Sequence, residues 1–259
     1  MELEYPPDHW ANDSDPSSGL SKYLAMHETL YNKVKNNLIL SILPQDMKGL
    51  EVLDYGCGCG FFSILCAKRG AMVTGIDASE MAISTAKFYA AKSGVTNRCT
   101  FSVSTNVDIQ KTSFDVILAK DVIEHIQDDS LWIRTVVNVL KPRGQLVLST
   151  QNAWSLNYLL EGGYYRLWRK EKKWMGWDST HIRFYTPVIL SRIISNHGLM
   201  VERWASMYIV PYNILSWLFL LKIKITFKSL SLIDYLVGKV FPFNHFGWGL
   251  IVSCRKTGP

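Results

Sequence analysis

The sequence predicts an α/β fold, a parallel sheet with helices on both faces. Three observations carry this. A short apolar strand ending in Val52-Leu53-Asp54-Tyr55 runs straight into a glycine-rich turn at Gly56, Gly58 and Gly60, and a helical pattern begins at Phe61. Extended apolar runs then alternate with helical stretches as far as Thr150, the alternation that crossover connections impose on parallel strands. Apolar residues make up 48% of the 259 residues, enough to core one α/β domain with additions.

Each element follows from its own signals. Residues 1–20 are acidic and contain Pro and Ser, so a loose segment is expected there, and they lack a signal-peptide pattern. From Lys22 to Leu43, helical periodicity in Leu24, Leu30, Val34, Leu38 and Ile42 predicts a helix lying over the ligand site, and Pro44 follows its end. The first strand is read at 51–55 with its helix at 61–69, and the second strand at 72–76. The next helix starts after Ser79, whose hydroxyl can accept from the free N–H groups of a first turn, and Gly94 closes it. Strands at 100–104 and 115–119, a helix at 129–140 and a strand at 145–150 complete a core over residues 21–152.

Beyond that core the chain adds material. Residues 153–180 are rich in aromatic and basic side chains, among them Trp154, Trp168, Trp174, Trp177, Arg166 and Lys170, and read as a lid insertion. Residues 181–259 return to the core with a helix at 188–197, closed by Gly198, a strand at 199–205 and a last strand at 249–255. Between these strands lies a hydrophobic, helical insertion, 207–246. A spanning helix needs about 20 apolar residues. The run Tyr212–Leu221 is shorter, and Lys222, Lys224 and Lys228 interrupt its continuation. It is expected to lie in a membrane interface, or to pack on the protein itself or on a second subunit.

The glycine turn selects its ligand class by spacing. A dinucleotide fingerprint requires G-x-G-x-x-G, and Phe61 stands where its last glycine belongs. The pattern present is Asp54-x-Gly56-x-Gly58-x-Gly60; a second strand ends in Asp77, whose two oxygens can take both hydroxyls of a ribose; and a third segment reads Phe114-Asp-Val-Ile-Leu-Ala-Lys-Asp-Val-Ile-Glu-His-Ile126. These three motifs, in this order, resemble those of the class I S-adenosylmethionine (SAM) methyltransferases, over roughly residues 45–205. The resemblance implies a Rossmann-like sheet and a cofactor site made of Asp54, Tyr55, Gly56, Cys57, Gly58 and Gly60, with Asp77 on the ribose. It places Ala78, Ser79 and Met81 on one adenine wall, Thr105, Asn106 and Val107 on the other, and Ala119 and Lys120 against the methionine portion.

Candidates for the chemistry are Asp121, Glu124, His125 and His181. In a helical turn after the fourth strand, Asp121 would share a face with Glu124 and His125, and a histidine titrates near neutrality, as a base for a hydroxyl requires. Asp121-x-x-Glu124-His125 followed by His181 is similar to the pattern of the ubiquinone-biosynthesis O-methyltransferases, with Asp in place of the first Glu. The same pattern occurs in small-RNA 2′-O-methyltransferases, where these four side chains bind a divalent metal, and that resemblance implies a divalent metal such as Mg2+ here. The segment Ala119-Lys-Asp-Val122 stands where base-amino methyltransferases carry Asn-Pro-Pro-Tyr, which argues against methylation of DNA amino groups.

Net charge is +6, which favours anionic surfaces. Five cysteines, an odd number, point to a reducing, cytoplasmic setting, and the glycine motif accounts for Cys57-x-Cys59 without a metal. The aromatic and basic insertion with the apolar one suggests O-methylation of a small hydrophobic or lipid-linked acceptor, reached by peripheral contact with the inner face of a membrane. A soluble small molecule, an RNA ribose, or a non-catalytic SAM-binding subunit serving a partner enzyme are the alternatives. RNA is disfavoured because no RNA-binding module flanks the lid. The identity of the acceptor, the atom methylated and the oligomeric state stay open at this level.

Overall fold

The computed structural model describes residues 10, 13–105, 113–171, 173–178, 180–211 and 227–258. The N-terminal part is helical from Pro16, earlier than the sequence suggests, in two helices rather than one: α1 (Pro16–Glu28) and α2 (Leu30–Ile42). Asp15 caps α1 by accepting from the N–H groups of Ser17 and Ser18, and Pro16 supplies a preset φ at the first position. Thr29 then ends one helix and caps the next, its hydroxyl accepting from Asn32 N, so a single residue sets the break that periodicity alone hides.

The core strands and helices alternate: β1 (Glu51–Tyr55), α3 (Phe61–Lys68), β2 (Met72–Asp77), α4 (Glu80–Lys92), β3 (Cys99–Val103), β4 (Phe114–Lys120), α5 (Asp129–Val139) and β5 (Leu140–Gln151). After them come α6 (Leu156–Leu167), α7 (Pro187–Asn196), β6 (Leu199–Met207), α8 (Phe227–Val237) and β7 (Gly249–Lys256). The expected caps are present: Ser79 accepts from Ala82 N, and Gly94 takes φ 70° past the end of α4.

The sheet order is β3-β2-β1-β4-β5-β7-β6. Strands β1 to β5 are parallel, and β7 runs antiparallel to both β5 and β6, so the sheet is mixed. The order reverses between β1 and β4, and crevices at such a reversal, at the carboxyl ends of the strands, are where ligands sit in this architecture.

Two apolar layers sandwich the sheet. One contains Leu38 and Ile39 of α2, Ile64 and Cys66 of α3 and Ala86 of α4. The other contains Ile133 and Val136 of α5 and Leu190 and Ile194 of α7. Each large aliphatic side chain buried here contributes about 1.5–3 kcal/mol. Within 153–180 the structure has α6 and a turn-rich return. The run Tyr212–Leu221 and its lysine-containing continuation to residue 226 lie outside the described residues, and α8 follows them. Among the described residues, no helix is long and apolar enough to cross a membrane.

Candidate active site

The glycine turn is built to bring main chain against a ligand. Gly56, Gly58 and Gly60 have φ of 68°, 52° and 84°, the left-handed region that side chains disfavour. A Cβ on Gly56 would stand 2.7 Å from Val122 Cγ2, and one on Gly58 would stand 3.0 Å from the Tyr23 hydroxyl. The turn is tied to β2 through Cys57 N, which donates to Ile76 O at 2.9 Å. It opens α3, whose first turn has no side-chain cap and so leaves its N–H groups and positive dipole end available to an anion.

Asp77 stands at the end of β2. Gly58 N donates to one of its oxygens and Ser79 N to the other, both at 2.9 Å. Each oxygen keeps lone-pair capacity for one more donor, which suits a pair of neighbouring hydroxyls. Burial raises the Asp77 carboxyl, and it raises Asp54, which accepts from the Ser63 hydroxyl at 2.6 Å, to about 6. A cavity of about 290 Å³ joins Asp54, the glycine turn, Asp77, Ala78, Ser79 and Thr105 to Lys120, Asp121 and His125. Tyr23, Met26 and His27 of α1 close it from above. His27 stacks on Phe61 at 4.0 Å, and burial lowers its pKa to about 3, so it is neutral there.

Most of the cofactor residues read from the sequence therefore share one cavity. Gly60, Met81 and Ala119 do not line it. Gly60 packs towards Ala86 and Phe101, Met81 is half-buried in the first turn of α4, and Ala119 points into the apolar layer on the α5 side. Asn106 and Val107 lie outside the described residues.

Asp121 departs from the expected helical turn. It has φ 56°, and a one-turn 3₁₀ helix starts only at Ile123 and ends at His125. Its carboxylate is held by the Lys35 ammonium of α2, by Lys120 at 3.2 Å and by the Ser149 hydroxyl at 2.9 Å. Against the upward push of burial, the two lysines hold it below the usual carboxylate range. Asp121 is thus engaged by cations and stands apart from the other three candidates.

Those three do converge. One ligand atom each from Glu124, His125 and His181 lies within 4.8 Å of the others. The segment carrying His181 is pinned there by Ile182 N donating to Glu124 O at 3.0 Å and by Arg183 and Tyr185, which donate to Asp129 at 2.7 and 2.8 Å. His125 Nδ1 faces the Thr180 carbonyl at 3.3 Å and His181 Nδ1 faces the Met175 carbonyl at 3.1 Å. His125 Nδ1 also lies 3.1 Å from the Thr180 hydroxyl, so both rings are oriented through Nδ1, and Nε2 is the atom each leaves for a ligand. Glu124 is fully buried, and among the described residues neither of its oxygens has a partner at full hydrogen-bond geometry, the Thr150 hydroxyl standing beside it. Burial, then the Asp121 charge, push its carboxyl up to about 8. An orphaned carboxyl beside two oriented imidazoles fits a three-ligand metal centre as well as a base. Two nitrogens and one oxygen suit Mn2+, Zn2+ or Fe2+ better than the Mg2+ expected from the sequence, because Mg2+ favours oxygen ligands.

Sequence reasoning missed Lys35, Tyr23, His27 and Asp178. Asp178 lies on the cavity wall, accepts from Thr180 N at 2.8 Å and sits 3.8 Å from His181 Nε2. Its place three residues before His181 was the one available signal. The α1 and α2 residues carried none, because only the packing of the helices brings them to the site.

Comparison with known proteins fits this geometry. Residues 46–196 match the family model described as a methyltransferase domain. The chain is 32% identical over 177 residues to the ubiquinone biosynthesis O-methyltransferase of Neisseria meningitidis serogroup C, covering 66% of this chain and 71% of that protein. With the protein of the same name from Idiomarina loihiensis it shares 37% over 114 residues, 43% of this chain and 46% of that one, so the alignment spans less than half of that relative. Magnesium protoporphyrin IX methyltransferase from Synechocystis PCC 6803 with bound SAH superposes with a TM-score of 0.62 at 17% identity, over 93% of this chain and 96% of that one. The Haloferax volcanii complex of the Trm112 activator with a methyltransferase superposes with a TM-score of 0.63 at 15% identity, over 99% of this chain and 100% of the matched chain. At these identities the two structures speak for the fold alone.

Proposed function

The chain belongs to the SAM-dependent methyltransferase family, and from that membership we propose that it O-methylates a small hydrophobic or lipid-linked acceptor at a membrane surface. The observation that carries the oxygen assignment is the buried Glu124 carboxyl, unpartnered among the described residues, grouped with the His125 and His181 rings. Methylation of a hydroxyl needs a group to take its proton, and Glu124, poised near 8, is matched to a hydroxyl at neutral to mildly alkaline pH. Asp77 would hold the ribose hydroxyls of SAM, and the glycine turn would take its methionine end beside Lys120. SAM supplies an electrophilic methyl group on a sulfonium. A metal ion held by Glu124, His125 and His181 would lower the pKa of the acceptor hydroxyl. The chain's own part would be alignment: Lys120, Asp121 and His125 line the cavity that also holds the glycine turn, and an acceptor on that wall would be set for in-line attack.

The membrane part rests on the surface of α6 and the turns near β7. Leu159, Leu167, Trp168 and Phe241 are 60, 78, 80 and 75% exposed. Trp154, just ahead of α6, stacks on Phe246 at 6.0 Å, so the start of α6 and the turn before β7 meet. Arg166, Arg169, Lys170 and Lys173 stand in or just after α6, a composition suited to an anionic bilayer.

The test is transfer of labelled methyl from SAM to 3-pentadecylcatechol carried in anionic vesicles. Wild-type protein is expected to label it, and Glu124→Gln to do so about 10²–10⁴-fold more slowly. Dialysis against a chelator with add-back of Mn2+ or Zn2+ tells base from metal ligand. Absence of labelling by a wild-type chain that binds SAM sinks the proposal.

A further inference from the structure

The insertion after β5 returns to the core through a turn that carries Trp174, Trp177, Asp178, Thr180 and His181. Two aromatic anchors tie this turn to α6. Trp174 is buried and stacks on Tyr165 at 5.8 Å, and the Trp177 indole N–H donates to both oxygens of Glu161 at 3.0 Å. The far end of the turn is held by Ile182 N on Glu124 O. Asp178 and Thr180 are thereby set against the 3₁₀ helix that ends at His125.

Asp178 and His125 line the same cavity. Asp178 Oδ1 accepts from the Thr180 N–H at 2.8 Å and from the Thr180 hydroxyl at 2.5 Å. The N–H contact alone is an ordinary closure of a turn by an Asp side chain. The hydroxyl contact reaches further, because the same Thr180 Oγ1 lies 3.1 Å from His125 Nδ1. A hydroxyl has one proton to give, and a carboxylate at neutral pH has none. Two oxygens 2.5 Å apart need a proton between them, so the Thr180 proton goes to Asp178. Thr180 Oγ1 then meets His125 only as an acceptor. The Thr180 carbonyl, 3.3 Å from the same ring nitrogen, is an acceptor too. Both contacts call for the ring proton on Nδ1.

We infer that Asp178, acting through the Thr180 hydroxyl, is a positioning residue that locks His125 in the form protonated on Nδ1 and keeps Nε2 as its free nitrogen. A free nitrogen beside Glu124 and His181 can take a hydroxyl proton or a metal ion, and a ring protonated there can do neither. Because Asp178 and Thr180 come from the insertion, His125 is readied only while that turn is seated. This rests on the O-methylation reading above and adds the support that prepares its histidine.

The experiment reads the ring directly. Long-range 1H–15N NMR of metal-free, 15N-labelled protein, with His125→Gln to assign the signal, is expected to show wild-type His125 in the Nδ1–H form. Thr180→Val keeps the side-chain shape and removes the hydroxyl. It is expected to admit the Nε2–H form and to lower kcat on vesicle-borne 3-pentadecylcatechol by about 10–100-fold, with the acceptor KM and the SAM Kd unchanged. Thr180→Ser should restore both the lock and the rate. Asp178→Ala frees the Thr180 proton to turn onto His125 Nδ1, and Nε2–H should become the main form. A merely structural Thr180 predicts a lower Tm in Thr180→Val with the Nδ1–H form and kcat intact, and that result overturns the inference. So does an Asp178→Asn protein with a raised acceptor KM beside a Thr180→Val protein that behaves as wild type, the mark of a direct contact between Asp178 and the acceptor. A wild type that shows the lock and binds SAM yet methylates nothing upholds the lock and sinks the O-methylation reading. Should Asp178→Ala not fold, Thr180→Val carries the same test.

Discussion

Asp77 and Glu124 are both buried carboxylates raised by burial, yet they differ in their donors. Asp77 has two main-chain N–H groups, and Glu124 has none. Asp77 is therefore a fixed acceptor for ligand hydroxyls, and Asp77→Ala should weaken SAM binding by about 2–4 kcal/mol, the loss of two charge-assisted hydrogen bonds, measured by calorimetry. Glu124 acts through its proton. As a base it must be ionised, so turnover in chelator should rise with pH through about 8 and level off above, and Glu124→Gln should remove that rise. Asp54, the glycines and Asp77 were legible in the sequence because one local motif places them. So were Glu124, His125 and His181 as candidates. That Asp121 leaves the group was not legible, because its partner Lys35 comes from a helix 86 positions away. Tyr23 and His27 of α1 were hidden for the same reason, whereas Asp178 had its place three residues before His181 as a signal.

At the scale of elements, α2 is fastened to the end of β4 by one buried cation. Lys35 is 1% exposed and Asp121 24%. Removing one partner strands the other, so Lys35→Met should destabilise the fold by about 2–4 kcal/mol in urea unfolding, and adding Asp121→Asn should recover part of the loss. The strands and most caps could be read from alternation and from single residues such as Ser79 and Gly94. The division of the first helix at Thr29 could not, because its side chain signals a cap only once the chain around it has turned. The antiparallel β7 follows from the family resemblance rather than from the strand itself, since a strand's sequence carries its faces but not its direction.

For the molecule as a whole, four carboxyls are raised in the fold: Glu124 to about 8, Asp54 and Asp234 to about 6, and Asp77 by its burial. The native state then keeps protons that the unfolded chain releases above about pH 4. His27, held near 3 by burial, pulls the opposite way below about pH 6.5, so the fall in stability is expected between about pH 6.5 and 8, where Glu124 still holds its proton. The melting temperature of metal-free protein should drop over that window, less steeply in Glu124→Gln. Vesicle co-sedimentation tests the apolar face: Trp168→Glu with Phe241→Glu should abolish binding to anionic vesicles without changing SAM affinity. The position of α1 has a further, kinetic consequence. Tyr23, Met26 and His27 line the cofactor cavity from α1, and a helix lying against the bound cofactor would have to lift to release it once spent. Exit then becomes the slow event in the cycle. Rapid-quench mixing should show one methyl transferred per chain in a fast burst before a slower steady rate, and Tyr23→Ala should raise the steady rate and erase the burst.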